Sequence, residues 1–168
     1  MSSSILTLSN GVTVVRLILV PFFVAAVFAG QYAAALLFFS VAAVSDGFDG
    51  WLARKRNERT EFGAFLDPLA DKVLLITTIV VLSVYGWVPM WWMVTLIGRD
   101  LVMVVGYVLL SRFIGRKNIR VTWIGKTAIA FEMGVIVYIL VWLAIPDFPT
   151  PSLWMFLLVA ALSVGSGL

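Results

Sequence analysis

Long apolar runs separated by short polar breaks dominate the chain. A helix needs roughly 20 apolar residues to cross a bilayer, and the runs are close to that length. They predict six helices, over 12–29, 32–52, 63–85, 90–112, 123–145 and 152–168. Short connections on one side of the predicted membrane fall at Gly30-Gln31, Gly86–Pro89 and Pro146–Pro149. The pattern therefore predicts an all-α, polytopic membrane protein with six transmembrane helices.

The composition supports this interpretation. The chain has 168 residues, of which 62% are hydrophobic and 12% charged, and a soluble domain of this size could not bury so much apolar surface. We predict one transmembrane domain over residues 1–168. No convincing small-residue cleavage site follows the first apolar run, so we interpret it as a span and not as a signal peptide. The last run ends at Leu168 without polar flanking residues, which suggests that the native chain continues.

The twelve Lys and Arg residues lie on one side of the predicted topology or within spans near that side. Nine of them follow helices 2 and 4 or open helix 5, whereas the three opposite connections contain no Lys or Arg. The two groups are Arg54, Lys55, Arg56 and Arg59, and Arg112, Arg116, Lys117, Arg120 and Lys126. Because basic connections face the cytoplasm, both termini and the segment between helices 2 and 3 are predicted to be cytoplasmic.

Four carboxylates stand out in this apolar chain. Asp46, Asp49, Asp67 and Asp71 lie within 26 residues. Charged side chains in or near a bilayer are costly and are candidates for function, and four negative charges held together repel unless a positive group lies among them. The chain has no His and no Cys, so a hard divalent cation bound by oxygen, Mg²⁺ or Mn²⁺, fits best. The alternative is a set of internal ion pairs, with Arg54, Arg56 and Lys72.

The spacing of these residues defines two helical faces. One face carries Asp46, Asp49, Gly50 and Ala53 at i, i+3, i+4 and i+7, and the other carries Gly63, Asp67 and Asp71 at i, i+4 and i+8. The simplest arrangement is a helix hairpin with its two acidic faces opposed. The small residues either allow close helix packing or leave room for a ligand. Their position on the acidic faces favours a ligand.

The run Asp46-x2-Asp49-Gly50-x2-Ala53-Arg54-x8-Gly63-x3-Asp67-x3-Asp71 resembles the complete signature of the CDP-alcohol phosphotransferases, at eight fixed positions. Asn10, Thr13, Arg16 and Pro21 resemble the family's N-terminal pattern, and Trp123-Ile124-Gly125-Lys126 resembles a segment of its phosphatidylglycerophosphate synthases. The resemblance covers nearly the whole chain. It implies six transmembrane helices, a homodimer, and a two-metal site facing the cytoplasm in a bacterial-type inner membrane.

The resemblance also implies a reaction and a role for each site residue. An acceptor hydroxyl attacks the lipid-linked phosphorus of CDP-diacylglycerol, and CMP leaves. The implied metal ligands are Asp46, Asp49, Asp67 and Asp71, and Asp71 is also the implied catalytic base. The implied CDP-binding residues are Asn10, Thr13, Gly50, Ala53, Arg54 and Gly63. From the residues alone, the base among four coupled carboxylates stays open.

The basic cluster around helices 4 and 5 bears on the acceptor. Lys126, Arg112, Arg116 and Arg120 are predicted to bind an acceptor phosphate, although attraction to anionic headgroups explains the loop residues equally well. Glycerol 3-phosphate is the preferred acceptor, and phosphatidylglycerol, giving cardiolipin, is the alternative. Ile97-Gly98-Arg99-Asp100-Leu101 is more similar to eukaryotic-type cardiolipin synthases. In it, Arg99 and Asp100 form either a structural pair or an acceptor contact, and Glu132 is predicted to be buried.

Two other classes fit the sequence less well. Intramembrane prenyltransferases also use acidic helices, metal and a diphosphate, but their acidic motifs lie far apart in sequence. A cation transporter with an acidic site would spread its acidic residues over several spans, whereas the charges here cluster at one interface. The partners that the resemblance implies are CDP-diacylglycerol, a phosphate-bearing alcohol and membrane lipids, with no nucleic acid.

Overall fold

The computed structural model describes residues 8–56, 61–113 and 123–167, and every regular element within these ranges is an α-helix. The helices are α1 (Leu8–Phe28), α2 (Tyr32–Arg56), α3 (Glu61–Val84), α4 (Met90–Phe113), α5 (Trp123–Ala144) and α6 (Leu153–Gly167). The all-α prediction is confirmed, and each predicted segment corresponds to one helix.

Two helix boundaries differ from the prediction by four residues. The first helix begins at Leu8 and not at 12, and the second ends at Arg56 and not at 52. Hydropathy marks only the apolar part of a helix. Arg and Lys are polar but favour helix about as strongly as Leu does. Helix α2 therefore continues through its basic end, and the other boundaries agree within two residues.

Glycines end α1 and α3 in the same way. Gly30 and Gly86 adopt φ values of 69° and 76°, a left-handed conformation that only glycine reaches without steric cost. At the first site the amide of Gln31 donates to the carbonyl of Ala26 at 2.9 Å, and that of Gly30 to Val27 at 3.0 Å. The matching bonds at the second site, Trp87 to Leu82 and Gly86 to Ser83, are both 3.0 Å. Both ends are Schellman motifs, which satisfy the last helical carbonyls.

The chain forms two compact units. The first consists of the residues up to Thr78 together with Leu140–Phe148, and the second of Ile79–Ile139 together with the residues from Pro149. The single domain predicted over residues 1–168 stays a prediction.

In the first unit α1 and α2 pack as a hairpin across the short turn at Ala29–Gln31. Their buried stripes repeat every three or four residues, as packed helices require. The stripes are Thr13, Arg16, Val20, Phe23 and Val27 in α1, and Ala35, Phe39 and Ala42 in α2. The stripe of α1 is apolar except at its first two positions, so the hairpin carries its polar groups towards one end.

In the second unit α4 packs against α6. The fully buried ring of Trp92 meets Phe156 edge-on, with 5.4 Å between ring centroids. The hydroxyl of Tyr138 donates a hydrogen bond to the carbonyl of Pro149 at 3.2 Å, which ties α5 to the segment before α6.

The membrane prediction is supported most directly in α5. Within the described ranges, Thr127–Ala144 is the one segment both long and apolar enough to cross a membrane, with a mean hydropathy of 2.1 over 18 residues. Thr13–Phe28, Tyr32–Ser45 and Leu153–Gly165 are shorter apolar helices. Six spans therefore stay a prediction.

Candidate functional site

An ion pair between α1 and α3 lies within the first unit. Nη1 of Arg16 donates to Oδ1 of Asp71, across 55 positions of sequence. Arg16 is the only charged residue between Leu8 and Phe28. One turn before it on the same buried stripe, Thr13 is 1% exposed. The polar end of α1 is thus directed at the helix that carries the second acidic motif.

The two partners differ sharply in exposure. The side chain of Arg16 is 2% exposed, whereas that of Asp71 is 38% exposed. The guanidinium is therefore enclosed by protein, and the carboxylate reaches the surface of the unit. A half-exposed carboxylate whose Oδ1 is already held can still accept a proton or bind a cation.

The first acidic motif lies entirely within α2. Asp46, Asp49, Gly50, Ala53 and Arg54 all fall between Tyr32 and Arg56, so the helical spacing assumed from the sequence applies to the folded backbone. The buried stripe of Ala35, Phe39 and Ala42, continued at intervals of four and three residues, reaches positions 46, 49 and 53.

The second acidic motif lies within α3. Gly63, Asp67 and Asp71 all fall between Glu61 and Val84, so they share one face at four-residue intervals. The backbone is described for both motifs, but the side chains of residues 46–69 lie outside the described part of the structure. The ligand roles of Asp46, Asp49 and Asp67 and the nucleotide roles of Gly50, Ala53, Arg54 and Gly63 stay predictions.

The remaining predicted residues divide in the same way. Thr13 is described and buried. Asn10, Arg112 and Lys126 lie in α1, α4 and α5, but their side chains are outside the described part of the structure. Arg116 and Arg120 lie outside the described residues altogether.

Arg16 is a site residue to which the sequence pattern alone gave no role. The interpretation of the aspartates as internal ion pairs named Arg54, Arg56 and Lys72, whereas the structure pairs Asp71 with an arginine of α1. The sequence nevertheless contained a signal for this role, because a single arginine in an apolar run is costly and needs a partner of opposite charge.

The donor chemistry of the site fits a divalent metal. Asp71 presents a partly exposed carboxylate, and the helices carry Asp46, Asp49 and Asp67 on two faces. Oxygen-only donors suit Mg²⁺ and Mn²⁺. Among the described side chains alone, no group of three or more acidic residues is positioned to hold an ion, and three of the four aspartates are outside that set.

A second charged group lies in the second unit. Nη1 of Arg99 is 3.5 Å from Oδ1 of Asp100 within α4, and both side chains are largely enclosed, at 5% and 14% exposure. This contact supports the interpretation of the two residues as a structural pair. Glu132 in α5 is buried, as predicted.

An apolar groove of about 430 Å³ also lies in the second unit. It runs between α5 and α6, and it is lined by Ala130, Phe131, Gly134, Val135, Tyr138, Met155, Leu158 and Val159. The lining contains no charged residue, so the groove lacks the groups that bind a phosphate or a metal ion.

Comparison with known proteins places these features in a wider group. A family model described as CDP-alcohol phosphatidyltransferase matches residues 6–165. A protein of Escherichia coli (strain K12) named CDP-diacylglycerol--glycerol-3-phosphate 3-phosphatidyltransferase is 38% identical over 136 residues, covering 76% of this chain and 73% of its own. Proteins of the same name from Shigella flexneri serotype 5b (strain 8401) and Shigella sonnei (strain Ss046) match with the same identity and coverage.

Proposed function

The chain belongs to the CDP-alcohol phosphatidyltransferase family, and on this premise we propose that it transfers the phosphatidyl group of CDP-diacylglycerol to glycerol 3-phosphate. CMP is the other product. The proposal rests on one structural observation: the carboxylate of Asp71 is partly exposed and is bound by the enclosed guanidinium of Arg16. The choice of acceptor rests on the names of the relatives.

The reaction needs one bond to form and one to break. A hydroxyl oxygen of glycerol 3-phosphate attacks the phosphorus that bears diacylglycerol, and the bond from that phosphorus to the diphosphate bridge oxygen breaks. The electron pair leaves with CMP. The hydroxyl proton passes to a carboxylate, and Asp71 is the proposed acceptor because its side chain is partly exposed and held in place.

Asp46, Asp49, Asp67 and Asp71 are the proposed ligands of two Mg²⁺ or Mn²⁺ ions. When bound, such ions neutralise diphosphate charge and increase the electrophilicity of phosphorus. The chain's own contribution is to position the reactants and to keep opposite charges close, which accounts for most catalysis of phosphoryl transfer.

The proposed nucleotide contacts come from α1, α2 and α3. Asn10, Thr13 and Arg54 are the polar members, and Gly50, Ala53 and Gly63 leave space along the acidic faces. Lys126, Arg112, Arg116 and Arg120 are proposed from the sequence to bind the phosphate of the acceptor, because charge-assisted contacts to phosphate are strong.

We further infer an integral membrane protein with six spans, a cytoplasmic active site and a homodimeric state. Apolar side chains exposed along several helices support the membrane location, among them Phe22, Val102 and Trp154 at 54%, 70% and 78% exposure. The distribution of Lys and Arg supports the orientation. The homodimer is implied by the family resemblance, and light scattering of the detergent-solubilised protein measures it.

An acceptor panel tests the proposed function. The purified protein is given CDP-diacylglycerol with glycerol 3-phosphate, phosphatidylglycerol, inositol phosphate or serine, and CMP release is measured with the lipid product. We expect turnover with glycerol 3-phosphate. Turnover with phosphatidylglycerol alone would identify a cardiolipin synthase, and turnover with serine alone would refute a phosphate-bearing acceptor.

Removal of metal tests the cofactor. Chelation by EDTA is expected to abolish CMP release, and added Mg²⁺ or Mn²⁺ is expected to restore it, because the acidic site otherwise repels the diphosphate. Undiminished turnover after exhaustive chelation would refute the metal dependence.

A further inference from the structure

Arg16 occupies a position that an apolar residue would be expected to fill. It lies on the buried stripe of α1 between Thr13 and Val20, and its side chain is 2% exposed. Burying a guanidinium is unfavourable unless an opposite charge and hydrogen bonds compensate it. The structure supplies this opposite charge as the carboxylate of Asp71 in α3. The buried guanidinium therefore lies where α1 contacts the second acidic motif.

The difference in exposure limits what Arg16 can do. A guanidinium enclosed to this degree has little surface with which to reach a nucleotide or an acceptor. Its partner Asp71 is 38% exposed and is the proposed base and shared metal ligand. Arg16 can therefore act on the reaction through Asp71, which it contacts.

We propose that Arg16 is a positioning residue that fixes the orientation of the Asp71 carboxylate for metal binding and proton transfer. This inference rests on the proposed function. With Oδ1 engaged by Arg16, the carboxylate has a preferred rotation about its Cβ–Cγ bond, while the side chain as a whole stays 38% exposed to incoming ligands. Outer partners of this kind orient metal ligands in many proteins, and their loss typically costs 10–100-fold in metal affinity or activity.

The chemistry of arginine suits this role better than that of lysine. Guanidinium is planar and presents several donors in a fixed fork, whereas an ammonium group is a flexible point charge. Lysine at position 16 would keep the charge but lose the directional control. The inference therefore predicts a graded series, in which Arg16→Lys lies between the native protein and Arg16→Met.

The test combines metal binding with kinetics. Mn²⁺ is titrated into substrate-free protein in detergent and followed by electron paramagnetic resonance. For Arg16→Met we expect the Mn²⁺ dissociation constant to rise by about tenfold and kcat to fall by about 10–100-fold. The KM values for CDP-diacylglycerol and glycerol 3-phosphate should stay within about threefold, because the residue contacts neither substrate. Arg16→Lys should recover part of both losses, and it carries the test if Arg16→Met does not fold.

Arg99→Met is the matched control, since it also removes a largely enclosed arginine that contacts an aspartate. We expect it to leave Mn²⁺ affinity unchanged. An equal loss of affinity in this control, tighter Mn²⁺ binding by Arg16→Met, or native affinity and kcat in the Arg16 variants would each overturn the inference. Failure of the native protein to release CMP would refute the proposed function. The metal titration needs no turnover, so it would still test whether Arg16 orients Asp71 for metal binding.

Discussion

Phe23 of α1 and Phe39 of α2 meet at one level of the hairpin, with ring centroids 6.2 Å apart and ring planes tilted by 53°. Both helices rise by about 1.5 Å per residue, so equal steps away from this pair stay level. Such steps bring Val20 level with Ala42, and both of these residues are buried. Continued further, they bring Arg16 level with position 46 and Thr13 level with position 49.

The register predicts a specific cross-link. The chain has no cysteine, so Val20→Cys and Ala42→Cys introduce the only thiols, and we expect them to form a disulfide on mild oxidation, because level positions on facing stripes bring Cβ atoms close. Non-reducing electrophoresis after proteolysis of the intervening turn measures it. Ile18→Cys with Ala42→Cys is the control, since Ile18 is 52% exposed. Efficient linkage in the control and none in the test pair would contradict the register.

Asp71→Asn is expected to destabilise the protein through the charge that it leaves behind. The enclosed guanidinium of Arg16 would lose its carboxylate, which costs about 3–5 kcal/mol in a fully buried pair. We expect roughly 2 kcal/mol, because Asp71 is partly exposed and solvent weakens the pair. The double variant Arg16→Met/Asp71→Asn should recover part of the loss in thermal unfolding. A double variant less stable than Asp71→Asn alone would show that the ion pair does not govern this stability.

Asp67→Asn and Asp71→Asn are each expected to abolish CMP release, because an amide binds a divalent cation weakly and cannot take up the hydroxyl proton. Release of CMP from CDP-diacylglycerol is the measurement. Asp147→Asn makes the same substitution at an exposed turn with φ of 65°, a conformation that asparagine tolerates, and it should keep native activity. Full activity in either site variant would refute the two-metal interpretation.

Lys126→Gln is expected to raise the KM for glycerol 3-phosphate by about tenfold or more, because a hydrogen bond to a charged group contributes about 1.5–3 kcal/mol. The KM for CDP-diacylglycerol serves as the internal control and should not change. Steady-state kinetics with each substrate varied in turn measures both values. An equal rise in both would indicate a general effect of the substitution rather than an acceptor contact.

Gly30→Ala is expected to lower the free energy of unfolding by about 1 kcal/mol, since alanine is strained at a φ of 69°. No heavy atom lies within 4 Å of the added Cβ, so backbone strain is the whole effect. Gly134→Ala also meets open space, but within helix α5, and there alanine is favoured. Thermal unfolding of both variants checks the contrast. Equal effects at the two positions would argue against the Schellman cap.

The helices could be predicted from the sequence because their apolar runs are long and are separated by clear breaks. The errors fall at Leu8 and Arg56, where helix continues into polar sequence. The turn at Gly30 was predicted as a break, but the positive φ and the crossed hydrogen bonds of its cap depend on the end of α1 and do not follow from hydropathy.

The acidic motifs could be predicted because their spacing is local to each helix. The pairing of Arg16 with Asp71 could not, because it joins residues 55 positions apart, and no periodicity within one helix specifies a partner on another. For Arg99 and Asp100 the sequence left two interpretations open, a structural pair or an acceptor contact. The 3.5 Å contact between their side chains supports the structural pair.

The order in which the chain is synthesised gives the ion pair a further consequence. Arg16 leaves the ribosome 55 residues before Asp71, which is roughly 3–11 s at 5–20 residues per second. During that interval the first helix enters the proposed membrane with its arginine uncompensated by α3. A long basic side chain near a helix end can extend to the interface meanwhile. The arrival of α3 then supplies the carboxylate of Asp71, so insertion of α1 is expected to remain reversible until the second acidic motif has been made.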